Sequence, residues 1–433
     1  MTPVELFGHG IGGRLDLPIP ISYFAAGAAV IIIVTFAGLA VLWPRPRLQD
    51  GPRAEPMGLR PPVGALGVVG VAGLLLTLAG GLVAWLIGGD AIGSRNLAPL
   101  LLWVVFWLVI PFSSAVVGNL YTGLNPWRAL GSWLQIGSEE QVEVESRLGL
   151  RVAAVILFAF TVLELVYPDS AFPTTVGLAA LIYTIYLLVL MSKVGINTGL
   201  MVGDAFTAYN RLLSAISPFG RDRQGRLMWR GWLRALPVLP EWPGLALLVI
   251  VMIGTVSYDG LSVTDWWQNA TAGWGTSLVG GILLMAGAVA VIGGGYYLAC
   301  WLAARLGGDP SPRRVASRFA HTLVPIALAY AFAHYFTLIL FEGQQVISNA
   351  SDPFGLGWDL FGTRDYKINF FLGPTAVWYV QLGAIVAGHV AGVVLAHDRA
   401  LADFPGGGAV RSQYPMLALM VLLTMLGLFI LAG

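Results

Sequence analysis

Charge is what this 433-residue chain has least of: Asp, Glu, Lys and Arg together make up 11% of it, where soluble domains carry about 25%. That scarcity excludes a soluble enzyme with one membrane anchor. Cysteine is nearly absent too. The lone Cys300 rules out an internal disulfide and any cysteine-rich metal centre. A net charge of +1 offers no electrostatic footprint for a nucleic-acid partner, so none is expected. Residues 1–18 contain Glu5, His9, Arg14 and Asp16 and lack the basic-then-apolar order of a cleavable leader. Phosphate-binding and nucleophile signatures are missing as well. IGGGYY lies inside an apolar run without the lysine of a P-loop, and no GxSxG elbow occurs.

Long apolar runs are what the chain has in their place. Hydrophobic residues make up 57% of the chain, and the mean hydropathy is +0.77. The runs are continuous over about 20 residues, the length a helix needs to cross a bilayer, and they lack the alternation of a membrane barrel. The expected fold is an all-α polytopic bundle, one integral membrane domain with ten spans near 20–43, 63–87, 99–119, 151–167, 173–192, 243–258, 276–304, 319–341, 374–397 and 414–431. In the second span, glycines at 64, 67, 70 and 73 form a stripe suited to close helix contact.

Ten spans place alternate loops on the same side. One set of loops holds 20 of the 24 Lys and Arg residues, and the other set holds only Arg14, Arg95, Arg364 and Lys367. By the positive-inside rule the basic set is cytoplasmic and both termini lie outside the cytoplasm. The longest basic loop is 193–242. Its first part, GLMVGDAFTAYNRLLSAI, reads as a helix lying along the membrane surface. Its run Arg221, Arg223, Arg226, Arg230 and Arg234 suits orientation and contact with anionic lipid. The outer side is acidic, with a long loop at 342–373 and an aromatic loop holding Asp259, Asp265, Trp266 and Trp267.

VGNLYTGLN (117–125) and VGDAFTAYN (202–210) match at Val, Gly, Thr and Asn, with an offset of 85 residues. Parallel repeats of helix groups occur in transporter folds. On that reading Asn125, Asp204 and Asn210 mark a repeated turn, with Asn125 and Asn210 lining an inner vestibule. The alternative is capping, since Asn stops helices and starts turns.

Ionisable groups inside apolar spans are costly and need a reason. Span eight carries His321 near its inner end, His334 about 20 Å higher, and Glu342 just past its outer end. Span nine descends, placing His397 at the inner surface and His389 about 12 Å above it. Glu164 lies near the outer end of span four. Depth alone gives an inner His321–His397 pair and an outer Glu164–His334–Glu342 group. Gly388 and Gly392 flank His389 and predict tight packing there.

Four readings follow. The leading one is transport or handling of a small solute or metal ion along a path of Glu164, His334 and Glu342 outside and His389, His321 and His397 inward. A metal site built from His334, His389 and His9 is the second, although no HxxxH or HExxH pattern supports it. Haem b is the third. Only one histidine pair matches in depth, and thirteen residues turn a helix by about 220°, so His321 and His334 diverge. In the fourth, His321 and His397 are interfacial and His334 and His389 are hydrogen-bonded between helices. A separate, non-catalytic alternative is a scaffold, as a homo-oligomer or a subunit of a larger membrane complex.

Several stretches carry a resemblance. HGIGGRLDLPIP, NPWRAL, RLLSAISPFGR, FAHTLVPIALAYAFAHYFTLILFEGQ, SDPFGLGWDLFGTRDY and GHVAGVVLAHDRAL span nearly the whole chain. In them the chain resembles a family of bacterial multi-pass integral membrane proteins often labelled fenitrothion hydrolase. The resemblance implies a bacterial cytoplasmic membrane location and hydrolysis of organophosphate esters with release of a nitrophenol. It carries no catalytic residue over to this sequence.

Overall fold

The computed structural model describes residues 21–89, 95–137, 148–222, 224–309, 311–404 and 406–432. His9 and the acidic run from Glu139 to Glu145 fall outside them. The described chain is a bundle of helices with one small sheet, β1 (Glu55–Pro56), β2 (Phe219–Arg221) and β3 (Leu227–Trp229), in the order β1-β3-β2. The sheet ties two basic loops together.

The main helices are α1 (Ile21–Leu42), α2 (Val63–Ile87), α3 (Leu97–Val117), α4 (Tyr121–Leu124), α5 (Pro126–Trp133), α6 (Arg151–Leu165) and α7 (Pro173–Val194). They continue with α8 (Ile196–Gly203), α9 (Ala205–Ser214), α10 (Leu245–Ser262), α11 (Leu278–Gly307), α12 (Pro312–Leu340), α13 (Pro374–Asp403) and α14 (Tyr414–Ala432). Among the described residues nine helices are long and apolar enough to cross a membrane, so the chain is a multi-pass membrane protein. The fourth expected span is the exception. At 15 residues α6 is about 22 Å long, below the ~30 Å of a hydrocarbon core. Span six is longer than expected, since α10 runs on to Ser262 and takes Asp259 into the buried core.

Two departures from regular helix have local causes. Residues Leu101–Val109 of α3 form a π-helix in which the Ile110 N–H reaches back to the Val105 carbonyl. Pro111 follows, and a proline offers no N–H and its ring crowds the carbonyl four residues back. In α12 a tight 3-10 turn, Ala320–Leu323, precedes Pro325 and carries His321.

Helices α2, α3, α4, α5, α7 and α8 pack as one group, and α1, α11, α12, α13 and α14 as another. At the Gly81–Gly177 crossing a Cβ on Gly81 would stand 2.7 Å from the Gly177 Cα, so only glycine lets α2 and α7 approach this closely. The expected tight packing at Gly388 is present, with Pro325 O of α12 2.7 Å from where its Cβ would lie. Helices α6, α9 and α10 fill the seam between the groups.

The segment 196–214 does not lie along a surface. Nearly every residue of α8 and α9 is buried, and Asp204 between them meets Tyr183, which stands midway along α7. Its polar residues Asp204, Thr207 and Asn210 find hydrogen-bond partners inside the bundle, which is what allows the segment to be buried. The chain therefore enters from the basic end, turns at Asp204 and returns.

Candidate functional site

Two buried polar centres and one apolar cavity dominate the interior. The first centre is Asp204. Its Oδ2 accepts from Thr207 Oγ1 (2.6 Å), Asn125 Nδ2 (2.9 Å) and Tyr121 Oη (3.1 Å). Its Oδ1 accepts from Tyr183 Oη (2.9 Å) and the Phe206 N–H (3.0 Å). Asp204 also caps the N-terminus of α9, and Asn125 caps α5. Two positive helix ends thus converge on one carboxylate. All five partners donate to Asp204, so its two oxygens are fully engaged within the fold.

This geometry divides the repeat. Asn119 and Asp204, at equivalent positions, both accept a backbone N–H from the helix that follows: Asn119 Oδ1 takes the Thr122 N–H at 3.1 Å, and Asp204 Oδ1 takes the Phe206 N–H at 3.0 Å. The later positions diverge. Asn125 joins Asp204, whereas Asn210 lies within α9, accepts from Ser114 Oγ (3.1 Å) and donates to the Phe206 carbonyl (3.0 Å). Both asparagines are buried, so neither lines an open vestibule.

The second centre lies at the seam. His334 Nε2 of α12 stands 2.6 Å from Asp259 Oδ2 of α10. Tyr335 donates to the same oxygen at 3.3 Å, and its hydroxyl also faces Glu164 of α6. Trp107, in the π-helical part of α3, donates to Glu164 Oε1 at 2.9 Å. Its ring stacks on Tyr209 of α9 with centroids 5.0 Å apart. Three helices, α6, α10 and α12, therefore bring two carboxyls, an imidazole and a phenol into one buried cluster, and α3 and α9 add Trp107 and Tyr209 around it. Among the described residues, Glu164 Oε2 and His334 Nδ1 have no hydrogen-bond partner.

Glu164 and His334, expected at similar depth, are thus joined through Tyr335 and Asp259. Glu342 is not part of the cluster. It lies beyond the end of α12, where its carboxylate accepts from Gln345. Sequence reading missed Asp259 because it was placed in a loop. The signal was available: in VSYDGLS the apolar run of α10 continues past the aspartate through Leu261.

The inner histidines stand apart from one another. His321 is buried, close to the cations Arg318 and Arg399, and its Nε2 has no partner among the described residues. His389 donates from Nδ1 to the Ile385 carbonyl of its own helix (2.8 Å), and its Nε2 likewise has no partner among the described residues. His397 has both ring nitrogens committed, to Gln413 Oε1 (2.8 Å) and to the Trp43 carbonyl (3.0 Å). It is therefore not available as an axial haem ligand opposite His321. Among the described residues no group of three or more His, Cys, Asp or Glu is placed to hold a metal ion.

Asp398, beside His397, was not singled out from sequence and is a hub. It accepts from Trp43 Nε1 (3.0 Å), the Arg47 N–H (2.6 Å), the Leu48 N–H (3.2 Å) and Gln49 Nε2 (2.6 Å). Asp403, one turn on, pairs with Arg318 at 2.8 Å. Together they fasten the loop after α1 and the start of α12 to the basic end of α13.

The cavity has a volume of about 780 Å³ and lies between α2, α3, α6 and α7. Its base is formed by Trp127, Tyr183 and Phe206, next to the Asp204 centre. Phe160 separates it from the second centre by packing on both Trp107 and Phe206, with centroids 5.0 and 4.9 Å away. No family model matches this chain, and neither curated proteins nor solved structures give a match.

Proposed function

We propose that this protein moves a small solute across the membrane in a proton-linked cycle centred on Glu164, Asp259, His334 and Tyr335. The observation that carries this reading is the 2.6 Å His334–Asp259 pair, with Tyr335 between Asp259 and Glu164, at the seam of two helix groups. Buried ionisable side chains are costly and mark proton relays in membrane carriers. Two carboxyls in one buried cluster repel when both are charged, so protonation changes the fit between the elements that hold them. Helices interrupted near mid-bundle, as at Asp204 and Asn125, are a further feature of carriers. The test is a screen of solutes on sealed vesicles with a pH-sensitive dye inside. A solute that drives proton movement in the native protein, and not in Asp259→Asn, supports the reading. Proton movement that persists unchanged in both Asp259→Asn and Glu164→Gln overturns it.

The second reading is the organophosphate ester hydrolase implied by the resemblance. Its supporting observation is that Glu164 Oε2 and His334 Nδ1 have no partner among the described residues, which leaves each able to take a proton from water. It predicts nitrophenol release by detergent-solubilised protein, where a carrier does nothing measurable. No release with any divalent metal added removes this reading.

A further inference from the structure

We infer that the 780 Å³ cavity between α2, α3, α6 and α7 is a binding site for the hydrocarbon chain of a membrane lipid, entered sideways from the bilayer. The first argument is chemical. The side-chain polar atoms on its wall are already committed within the fold. Thr77 Oγ1 donates to the Gly73 carbonyl (2.9 Å), and Trp127 Nε1 donates to Thr184 Oγ1 (3.0 Å). Tyr183 Oη donates to Asp204 (2.9 Å) and Tyr186 Oη to the Gly203 carbonyl (3.4 Å). The remaining lining side chains are apolar. A polar guest would lose its water and gain nothing in exchange. An unfunctionalised chain loses nothing.

The second argument is placement. Lining residues come from the middle of α2, α3 and α7, not from their ends. From Val69 to Thr77 the cavity extends about 12 Å along α2. The rim residues Val69 and Ile182 are 60% and 59% exposed, so the mouth opens between helices at the depth of lipid tails. A water-soluble ligand has no route to such a mouth, whereas a lipid chain is already there. The size falls within the ~300–1,000 Å³ usual for small-molecule pockets.

The third argument is Gly73. A Cβ there meets nothing within 4 Å. A glycine that no neighbour requires leaves open volume on the cavity wall. Two glycines of the same stripe are used differently, since a Cβ on Gly67 would meet Ala129 at 3.2 Å and one on Gly70 would press on the Leu124 carbonyl.

The test uses the full chain in lipid nanodiscs with two photoactivatable probes, a fatty acid and a phosphatidylcholine each carrying a diazirine on the chain. Labelled peptides are identified by mass spectrometry. The inference predicts labelling of the α2, α3 and α7 lining several-fold above that of Val279 and Val291. Those two residues, 68% and 74% exposed on α11, report ordinary lipid contact. Gly73→Leu should lower the cavity labelling at least fivefold and leave the α11 labelling unchanged. If Gly73→Leu does not fold, Ile182→Trp at the mouth serves the same purpose. Labelling by the fatty acid alone, or by the phospholipid, supports the site and identifies the source of the chain. Cavity labelling equal to that of α11 and indifferent to both variants overturns it. Because labelling needs no proton movement, its outcome is independent of the transport reading.

Discussion

His334 and Asp259 face each other across α12 and α10 at 2.6 Å, both buried, and Asp259 is shared with the neighbouring Tyr335. The pair joins two helices that belong to different parts of the bundle. Removing its charge and removing its hydrogen bond are therefore separable experiments.

Asp259→Asn keeps an oxygen for His334 and for Tyr335 but cannot take up a proton. The fold should survive with a melting temperature within a few degrees of native. Proton-linked flux in vesicles should fall on the order of 100-fold, the usual weight of a positioned acid or base. Asp259→Ala leaves His334 Nε2 unpaired and Tyr335 with Glu164 alone, and should cost about 1–3 kcal/mol for the stranded imidazole. Melting curves in detergent, run beside the flux assay, separate the two effects.

Asp204 is expected to matter for stability alone. Its five hydrogen bonds satisfy Tyr121, Asn125, Tyr183, Thr207 and the Phe206 N–H. Asp204→Ala strands those donors inside the bundle and should destabilise by on the order of 3 kcal/mol or more. Asp204→Asn should lose less, since one oxygen still accepts. If Asp204→Ala melts with the native protein, the meeting of α4–α5 with α8–α9 is not held as described.

Much of the architecture is legible in the sequence because apolar length is a one-dimensional property. The run at 63–87 coincides with α2, and most other spans are recovered within a few residues. Neighbourhood in the membrane plane is not one-dimensional, and there the reading stops. Depth grouped Glu164, His334 and Glu342, yet only the first two share a cluster, joined through Tyr335 and Asp259, because Glu342 lies about 12 Å further along the axis than His334. Asp259 and Asp398 were passed over because an acid at the end of an apolar run looks like solvated loop. The segment 196–214 was mistaken for a surface helix because its Asp204 and Asn210 look polar. Two of their partners, Tyr121 and Ser114, come from 83 and 96 residues away in the chain.

Asp398 gives a prediction about the basic end. Its carboxylate holds Trp43, Arg47, Leu48 and Gln49, while His397 holds the Trp43 carbonyl. Asp398→Ala should release this loop without disturbing the bundle above it. Amide exchange at residues 43–49 should rise on the order of tenfold or more, the consequence of losing about 1.4 kcal/mol of local protection. Exchange in α2 and α10 should stay as in the native protein. Unchanged exchange at 43–49 would mean that the loop is held by something else.

Glu342 gives a pH dependence whose sign follows from its surroundings. It lies beyond α12 and is half-buried. Burial pushes its carboxyl up from the ordinary value, and the hydrogen bond from Gln345 only partly offsets this. The folded state therefore holds this proton more tightly than the unfolded state does. Stability from this group is present below the ordinary glutamate range and is lost as pH rises through that range toward the raised folded value. Glu342→Gln mimics the protonated side chain and should remove that slope. The measurement is melting temperature against pH from about 4 to 7, for both proteins in the same detergent. The native protein should lose stability relative to Glu342→Gln on going up in pH, and the two curves should run parallel above the window. A difference of the opposite sign would show that Glu342 is stabilised as a carboxylate, with a cationic partner near the mouth of the outer loop.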